Sequence, residues 1–300
     1  MAYRPSPLES LFGGDLFRLR NALRAITSLL LSLIPNKKAR HKLRDKIDDA
    51  IIKFNNDKIE YFVSNYPKVR TEAETINRIV EQKLSIARYG DGEFNMCIGR
   101  NKSFQDYDEN LVQQLKSILK SENSNVLVGI YTIKNSKDLT TLMKKFVVRR
   151  GNRVLQLFDN AKTYDSSTIT TIFPTEKKAF NEHVSLLKKI WDKRKVLFVV
   201  GKDSRFFYEE ELFDNINQHE FIYGPAKNAF SHYDDLMEQI QQYDKDWLIM
   251  ISLGPTATIM AYDLAKKGFQ AIDLGQTPSK YRRAKYGELY PEGHHLHSKK

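Results

Sequence analysis

The residues of this chain best suited to chemistry stand in Ser85-Ile-Ala-Arg-Tyr-Gly-Asp-Gly-Glu-Phe94. There an apolar run ends at Arg88 and leads into Gly90 and Gly92, alternating with Asp91 and Glu93. In an extended segment, side chains two apart project to the same side, so these carboxylates would share one cation. Flanking glycines permit tight backbone geometry and a close ligand. Hard oxygen ligands suit Mg²⁺ or Mn²⁺, which bridge phosphate oxygens, and Arg88 would meet the same phosphates directly. Asp-Gly is also the commonest hairpin-turn signal, and acids are usual in exposed turns. Spacing alone leaves both interpretations open.

A second stretch, Ile251-Ser-Leu-Gly-Pro-Thr-Ala-Thr258, follows an apolar run and opens an apolar helix through Ile259, Met260 and Leu264. Gly254 lets backbone approach a ligand, Pro255 presets the first turn, and Thr256 offers a hydroxyl near a helix N-terminus. Such a terminus receives a diphosphate through free N–H groups and the helix dipole. The same residues also make a plain N-cap through Ser252 or Thr256. Neither the Gly-Lys-Ser/Thr ending of a P-loop nor the three spaced glycines of a dinucleotide fingerprint is present.

A third region joins two segments, Val199 to Arg205 and Gly224 to Phe230, each placing polar and basic residues after a strand-like run. Lys202, Arg205 and Lys227 would complete a cationic pocket, and Asn228 would read a base or a sugar hydroxyl. By contrast His294, His295 and His297 sit in a tail with Lys299 and Lys300, where disorder is the usual state.

These residues need elements to position them. Strand-like runs recur at Leu84–Tyr89, Val126–Tyr131, Arg153–Phe158, Val196–Gly201, Glu220–Gly224, Trp247–Leu253 and Gln270–Leu274. Helical patterns separate most of them: Glu109–Lys120, Leu139–Arg149, Glu176–Asp192, Ala229–Gln242 and Thr256–Lys267. Thr71 with Glu74 forms a capping box ahead of Ile76, Ile79 and Val80. Near-continuous apolar runs such as Val196 to Val200 suit strands covered on both faces. The expected fold is therefore α/β, a Rossmann-like, mostly parallel sheet flanked by helices, with an N-terminal helical extension. Residues 1–70 form the extension, 71–293 the α/β domain and 294–300 a tail. Open parallel sheets bind ligands outside the carboxyl ends of their strands, which is where all three stretches fall.

The 300 residues carry 48 basic against 37 acidic side chains, a net charge of +11, which favours an anionic partner. Nine basic residues between Phe17 and Lys46 face one acid, Asp45, a local net of +8. Within that segment Leu16, Leu19, Leu23, Ile26, Leu30 and Leu33 mark one helical face, and Pro35 closes it. The apolar core from Leu29 to Ile34 is too short to span a bilayer. Residues 16–46 would instead lie on an anionic membrane surface, or pack on the main domain or on a second copy in a homo-oligomer. Nucleic acid is disfavoured, because no aromatics interleave with the basic residues. A single cysteine, Cys97, excludes an internal disulfide and fits a cytoplasmic protein, peripheral on the inner face of the plasma membrane if the helix docks there.

Several blocks taken together say more than any one spacing. Arg88-Tyr-Gly-Asp-Gly-Glu93, Leu212-Phe-Asp214 after Ser204-Arg205, Gly224-Pro-Ala-Lys-Asn-Ala-Phe230, Leu253-Gly-Pro-Thr-Ala-Thr258 and Ala271-Ile-Asp-Leu-Gly275 follow one another in the order found in the GT-D glycosyltransferases. The chain resembles that family, long filed as a domain of unknown function, from about Thr71 to Gly275. The resemblance implies a Rossmann-like fold, a nucleotide-sugar donor such as UDP-glucose, and an Asp-x-Glu motif that engages a divalent metal, typically Mn²⁺. Carried over, Asp91 and Glu93 become the metal site, and Arg88, Arg205 and Gly254-Pro255-Thr256 hold the diphosphate. The match breaks after Gly275, where the family usually continues with a histidine and this chain runs Gln276-Thr-Pro-Ser-Lys-Tyr-Arg-Arg283. The family's Ser-Arg-Pro block has no clear counterpart around Ser166 to Pro174.

The resulting expectation is a metal-dependent transfer of a hexose to a glycan, lipid-linked or protein acceptor in cell-surface assembly. Asp273 and Asp203 are the candidates for a base, and Lys280, Arg282 and Arg283 for meeting an anionic acceptor. The rival expectations are metal-dependent nucleotide hydrolysis or phosphoryl transfer, and a non-catalytic membrane-docked module.

Overall fold

The structure, a computed structural model, describes residues 36–100, 104–172 and 176–288. The amphipathic stretch from Leu16 to Ile34 and the His294 to Lys300 tail lie outside the described residues. In chain order the elements are α1 (Lys37–Phe54), α2 (Asn56–Ser64), α3 (Glu72–Glu81), β1 (Ser85–Arg88), α4 (Asp91–Cys97), α5 (Glu109–Lys120), β2 (Val126–Ile130) and α6 (Thr141–Leu155). There follow β3 (Asp165–Ser166), α7 (Lys177–Lys188), β4 (Lys195–Gly201), α8 (Glu210–Phe213), β5 (Gln218–Gly224), α9 (Tyr233–Ile240), β6 (Leu248–Ser252), α10 (Pro255–Lys266), β7 (Gln270–Asp273) and α11 (Thr277–Tyr286).

Local signals set several of these boundaries. Asn36 caps α1 by accepting from the Lys38 and Ala39 amides at 2.9 and 3.2 Å. The expected capping box starts α3: the Glu74 amide donates to Thr71 Oγ1 at 3.2 Å, and the Thr71 amide donates to Glu74 Oε2 at 2.8 Å. The chain forms two compact units. Among the described residues one takes in 36–61 with Ser136–Gly151, and the other the remainder from Phe62 to Asn135 and from Asn152 to Glu288. In the first, Lys145 Nζ pairs with Asp48 Oδ2 at 2.5 Å. Within the second unit Phe62 is buried and Val69 bridges Tyr164. The sheet and the candidate site belong to the second unit.

Among the described residues seven parallel strands form one sheet in the order β3-β2-β1-β7-β6-β4-β5. The chain builds outward from β1 to β3, restarts at β4, and returns β6 and β7 to fill the space between β4 and β1. Side chains alternate faces along each strand, and here both faces are apolar. Val196, Phe198 and Val200 of β4, with Leu248 and Met250 of β6 and Ile272 of β7, pack against Ile76, Leu187, Trp191 and Phe213. The intervening Leu197, Val199, Ile249, Ile251 and Ala271 pack against Leu236, Ile240, Met260 and Leu264 of α9 and α10.

One expected strand is corrected. Arg153–Phe158 is the end of α6 followed by a turn, and the third strand is the two-residue β3. Burial at Val147, Gly151, Val154 and Phe158 steps by four, three and four, so helical periodicity overrides the local β-rich composition. Helix α4 falls where the sequence suggests extended chain, and α8 and α11 where it marks no element. No helix among the described residues is long and apolar enough to cross a membrane.

Phe198 lies within the cluster that packs against Trp191 and Phe213, with Phe213 and Phe221 ring centroids at 5.1 and 5.2 Å. Phe198→Ala is expected to cost about 3–5 kcal/mol, read as a lower urea midpoint at unchanged slope.

Candidate active site

All seven strands send residues from their carboxyl ends into one cleft of about 700 Å³. Arg88 closes β1, Tyr131 follows β2, Ser167 follows β3, Arg205 follows β4, Lys227 follows β5, Gly254 follows β6 and Asp273 closes β7. Because strand order reverses between β1 and β7, the crevice opens there, as in other open α/β sheets.

Arg88 stitches the cleft floor together. Its Nε donates to Asp273 O at 2.5 Å, Nη1 to Ser167 O at 2.8 Å and to Thr170 Oγ1, and Nη2 reaches Asp273 Oδ1 at 3.4 Å. Thr258 Oγ1 lies 3.0 Å from Arg88 O and 3.2 Å from Asp273 Oδ2. Gly275 has a φ of +57°, and a Cβ there would stand 2.3 Å from Arg88 Nη2, so only glycine admits the guanidinium. The expected role of Arg88 as a direct phosphate ligand is thus largely replaced, since its donors are engaged by protein oxygens. Asp273 is buried, which raises its carboxyl against the lowering effect of Arg88.

Asp91 and Glu93 are not in an extended segment. They are the first and third residues of α4, about 200° apart around the helix, so they do not project together as alternate strand residues would. Acids in a first turn complement the helix dipole, and Glu93 Oε2 accepts the Gly90 amide at 2.8 Å as a cap. Both nevertheless line the cleft, as do Gly90 and Gly92. Burial pushes the Glu93 carboxyl up to about 7, helped by the neighbouring Asp273 and Asp91 carboxylates. Burial also pushes the Tyr131 phenol up to about 12, with Asp91 and Glu93 adding to it.

The remaining expected residues divide. Arg205, Lys227 and Gly254 line the cleft. Gly254 carries the Phe104 ring: a Cβ there would lie 2.9 Å from Phe104 Cε2. Pro255 and Thr256 are buried behind Gly254, not among the residues that line the cleft, and Thr256 Oγ1 has no hydrogen-bond partner among the described residues. Lys202 and Asp203 are exposed at the turn after β4, away from the cleft wall. Asn228 clamps two loops: its Oδ1 accepts the Asp106 amide and its Nδ2 donates to Asp106 Oδ2, both at 2.8 Å. That pairing occupies the amide expected to read a base or sugar.

Of the basic residues after β7, one enters the cleft. Lys280, in the first turns of α11, donates to Thr171 Oγ1 at 2.9 Å. Burial brings its ammonium down to about 8, with Arg88 lowering it further and Asp273 and Asp91 opposing. Arg282 instead binds Glu288 through Nε and Nη2 at 2.8 and 2.7 Å and Glu209 at 3.1 Å, and Arg283 is exposed. The signal for Lys280 was Thr277-Pro278 just past Gly275: proline in a first turn starts a helix at a strand end. Tyr131 was legible by its place directly after β2.

Glu93 gives a pH dependence with a definite sign. Between its ordinary value of 4.5 and about 7 the folded state keeps a proton that the unfolded chain has lost, so stability falls as pH rises through that window. Glu93→Gln retains an oxygen for the Gly90 amide. Urea midpoints of the metal-free proteins should show the variant lacking a loss on the order of 2 kcal/mol that the parent suffers over that range. Parallel pH profiles would mean Glu93 ionises as it does in water.

Comparisons with known proteins place this geometry. The model of the family described as glycosyltransferase GT-D fold matches residues 86–288. The chain is 31% identical over 221 residues to glycosyltransferase GlyD of Streptococcus pneumoniae serotype 4, covering 71% of this chain and 27% of that protein. It is 28% identical over 218 residues to the probable glycosyl transferase Gly of Streptococcus gordonii, covering 69% and 32% respectively. The chain therefore spans about a quarter to a third of the curated relatives it matches. A solved domain of unknown function 1792, described as having a distinct glycosyltransferase fold, superposes with a TM-score of 0.71 at 27% identity over 79% of this chain and 87% of that one. A glycosyltransferase of the same domain type from Streptococcus sanguinis gives 0.63 at 27% identity over 74% and 85%. With its all-parallel sheet and a family match running from β1 through α11, the chain belongs to the GT-D fold glycosyltransferase family.

Proposed function

We propose that this cleft transfers a hexose from a nucleotide-diphosphate sugar, UDP-glucose or a close relative, to an acceptor hydroxyl in cell-surface glycan, glycolipid or glycoprotein assembly. The observation that carries it is the convergence of Asp91, Glu93 and Asp273 with Arg205 and Lys227 on one cleft at the strand ends. Carboxylates and cations sharing a cleft suit a ligand made of a divalent cation and a diphosphate.

The donor set fits such a cation. Among the described residues no three His, Cys, Asp or Glu side chains stand together as a self-sufficient metal site. Mn²⁺ or Mg²⁺ bound by one or two carboxylates, with phosphate and water completing the shell, needs no more. Asp91 and Glu93, which do not project together from α4 but both line the cleft, would hold it, and a cation there would ease a Glu93 carboxyl raised first by burial and then by Asp273 and Asp91. When bound, the ion neutralises charge developing on the departing diphosphate.

The protein's own groups do the rest. Arg205 and Lys227 bind the nucleotide phosphates. The acceptor oxygen attacks the sugar's anomeric carbon while its bond to the phosphate oxygen breaks, the electron pair leaving with the nucleoside diphosphate. If configuration inverts, the hydroxyl proton passes to a base, and Asp273, at the end of β7 inside the cleft, is placed for that task. Asp203, exposed outside it, is less well placed. Exposed Lys38, Lys42, Arg44 and Lys46 on α1 suit docking on an anionic membrane near lipid-linked acceptors.

A panel of nucleotide sugars, each with Mn²⁺ or EDTA and with or without sugar acceptors, tests this. Acceptor-dependent release of nucleoside diphosphate is expected for one donor, falling about 100-fold or more in Asp91→Asn. The thermal midpoint should rise with Mn²⁺ in the parent and not in Asp91→Asn. Release that ignores acceptors would favour nucleotide hydrolysis. Sedimentation with anionic vesicles should be lost when Lys38, Lys42, Arg44 and Lys46 are changed to Glu, and retention would remove the membrane-docking role of α1.

A further inference from the structure

Lys280 is a charged residue of the cleft for which the fold supplies no anion. An ammonium offers three donors, and its hydrogen bond goes to a neutral hydroxyl, Thr171 Oγ1. Among the described residues no carboxylate lies within ion-pair distance of its Nζ, whereas Arg282 on the same helix is paired twice. Lys280 also sits beside Arg88, whose positive charge acts against it. Lys280 is half-buried, and a cation withdrawn from water near another cation is costly unless it is paired. An anion supplied by a ligand resolves this.

Position narrows the choice. Thr171 follows the 3-10 turn Ser167–Thr170 that Arg88 grips, so Lys280 faces the floor where β1, β3 and β7 end. The electrostatic neighbours of Lys280 are Arg88 and Asp273 of the cleft floor and Asp91, to which the cation was assigned above.

Resting on the glycosyltransferase reading, we propose that Lys280 is a further catalytic residue whose Nζ donates to the phosphate oxygen that leaves with the nucleoside diphosphate. As the bond from the anomeric carbon to that oxygen breaks, the electron pair stays on the phosphate and the ammonium meets the added charge without giving up its proton. Such a contact strengthens toward the transition state, so its loss falls on kcat more than on KM. Thr171 orients Nζ.

The test uses Lys280→Gln, Lys280→Arg and Thr171→Val in the full chain, with UDP and UMP as calorimetric probes in the presence of Mn²⁺ and UDP-glucose as donor. Lys280→Gln should reduce the preference for UDP over UMP about 10-fold and lower kcat about 100-fold with donor KM within about threefold. Lys280→Arg should recover much of both. Thr171→Val, should the glutamine variant not fold, should give a smaller shift of the same sign. An unchanged UDP to UMP ratio in a folded Lys280→Gln overturns the assignment even if the parent transfers sugar. A rise in acceptor KM alone overturns it in favour of an anionic acceptor. If the parent turns over no UDP-glucose but the UDP to UMP ratio shifts as stated, the transfer reading fails and Lys280 as a diphosphate ligand stands. A parent that binds neither nucleotide removes both.

Discussion

One guanidinium ties together the parts of the sheet from which the site is made. Residue 88 ends β1, yet its side chain crosses to β7 and to the turn after β3, spending a rigid fork of donors on oxygens from both. A sheet whose strand order reverses opens a gap between the chains that leave it, and Arg88 closes that gap with hydrogen bonds. The cost appears at Gly275, where no side chain fits beside the guanidinium. Without the Arg88 charge, Asp273 would be a buried carboxylate held only by Thr258. The turn that positions Thr171, and through it Lys280, would also lose its anchor.

That platform can carry charges because the layers beneath it are stiff. Strands β4, β6 and β7 are apolar on both faces, and two clusters of aliphatic and aromatic side chains clamp them. Tyr89 adds a further tie, its hydroxyl donating to Leu115 O at 2.6 Å and fixing the start of the Gly90 to Gly92 turn against α5. The stored tension sits above this layer. Glu93 caps α4 while its carboxyl is pushed up by burial and by Asp273, so one side chain stabilises the local helix and destabilises the electrostatics of the cleft. Fixed charges held in poor solvation are characteristic of sites that await a ligand.

Much of the fold was legible, because two-sided burial writes itself into sequence. Val196 to Val200 and Leu248 to Ile251 announce covered strands, and Thr71 with Glu74 announces α3. What failed had little or misleading apolar content. Strand β3 is Asp165–Ser166, held by Arg78 and by pairing with β2, and no hydrophobic pattern marks it. Arg153–Phe158 looks like a strand by composition, while its buried positions follow the turn of a helix. At the site, the three stretches were found because strand carboxyl ends can be located from sequence. Which way a side chain points from there was not. Asp91 and Glu93 keep their place but sit in a helix, Asn228 turns to Asp106, and of Lys280, Arg282 and Arg283 it is Lys280 that enters the cleft.

The placement of Phe104 changes what kind of anion recognition the proposed site uses. A helix N-terminus after a Gly-Pro turn would normally offer its amides to a phosphate. Here the Phe104 ring lies on Gly254, Ala257 N already donates to Gly254 O at 2.9 Å, and Thr256 is buried. Asn228 holds Phe104 in place, its amide donating to Phe104 O at 2.9 Å. The proposed recognition therefore rests on side-chain cations, Arg205 and Lys227 among them, rather than on the dipole of α10. A backbone seat reads shape and cannot move, whereas charges on flexible stems follow a ligand whose charge changes as its bond breaks. A cleft lined this way suits a reaction that begins with a diester-like diphosphate and ends with a more highly charged one.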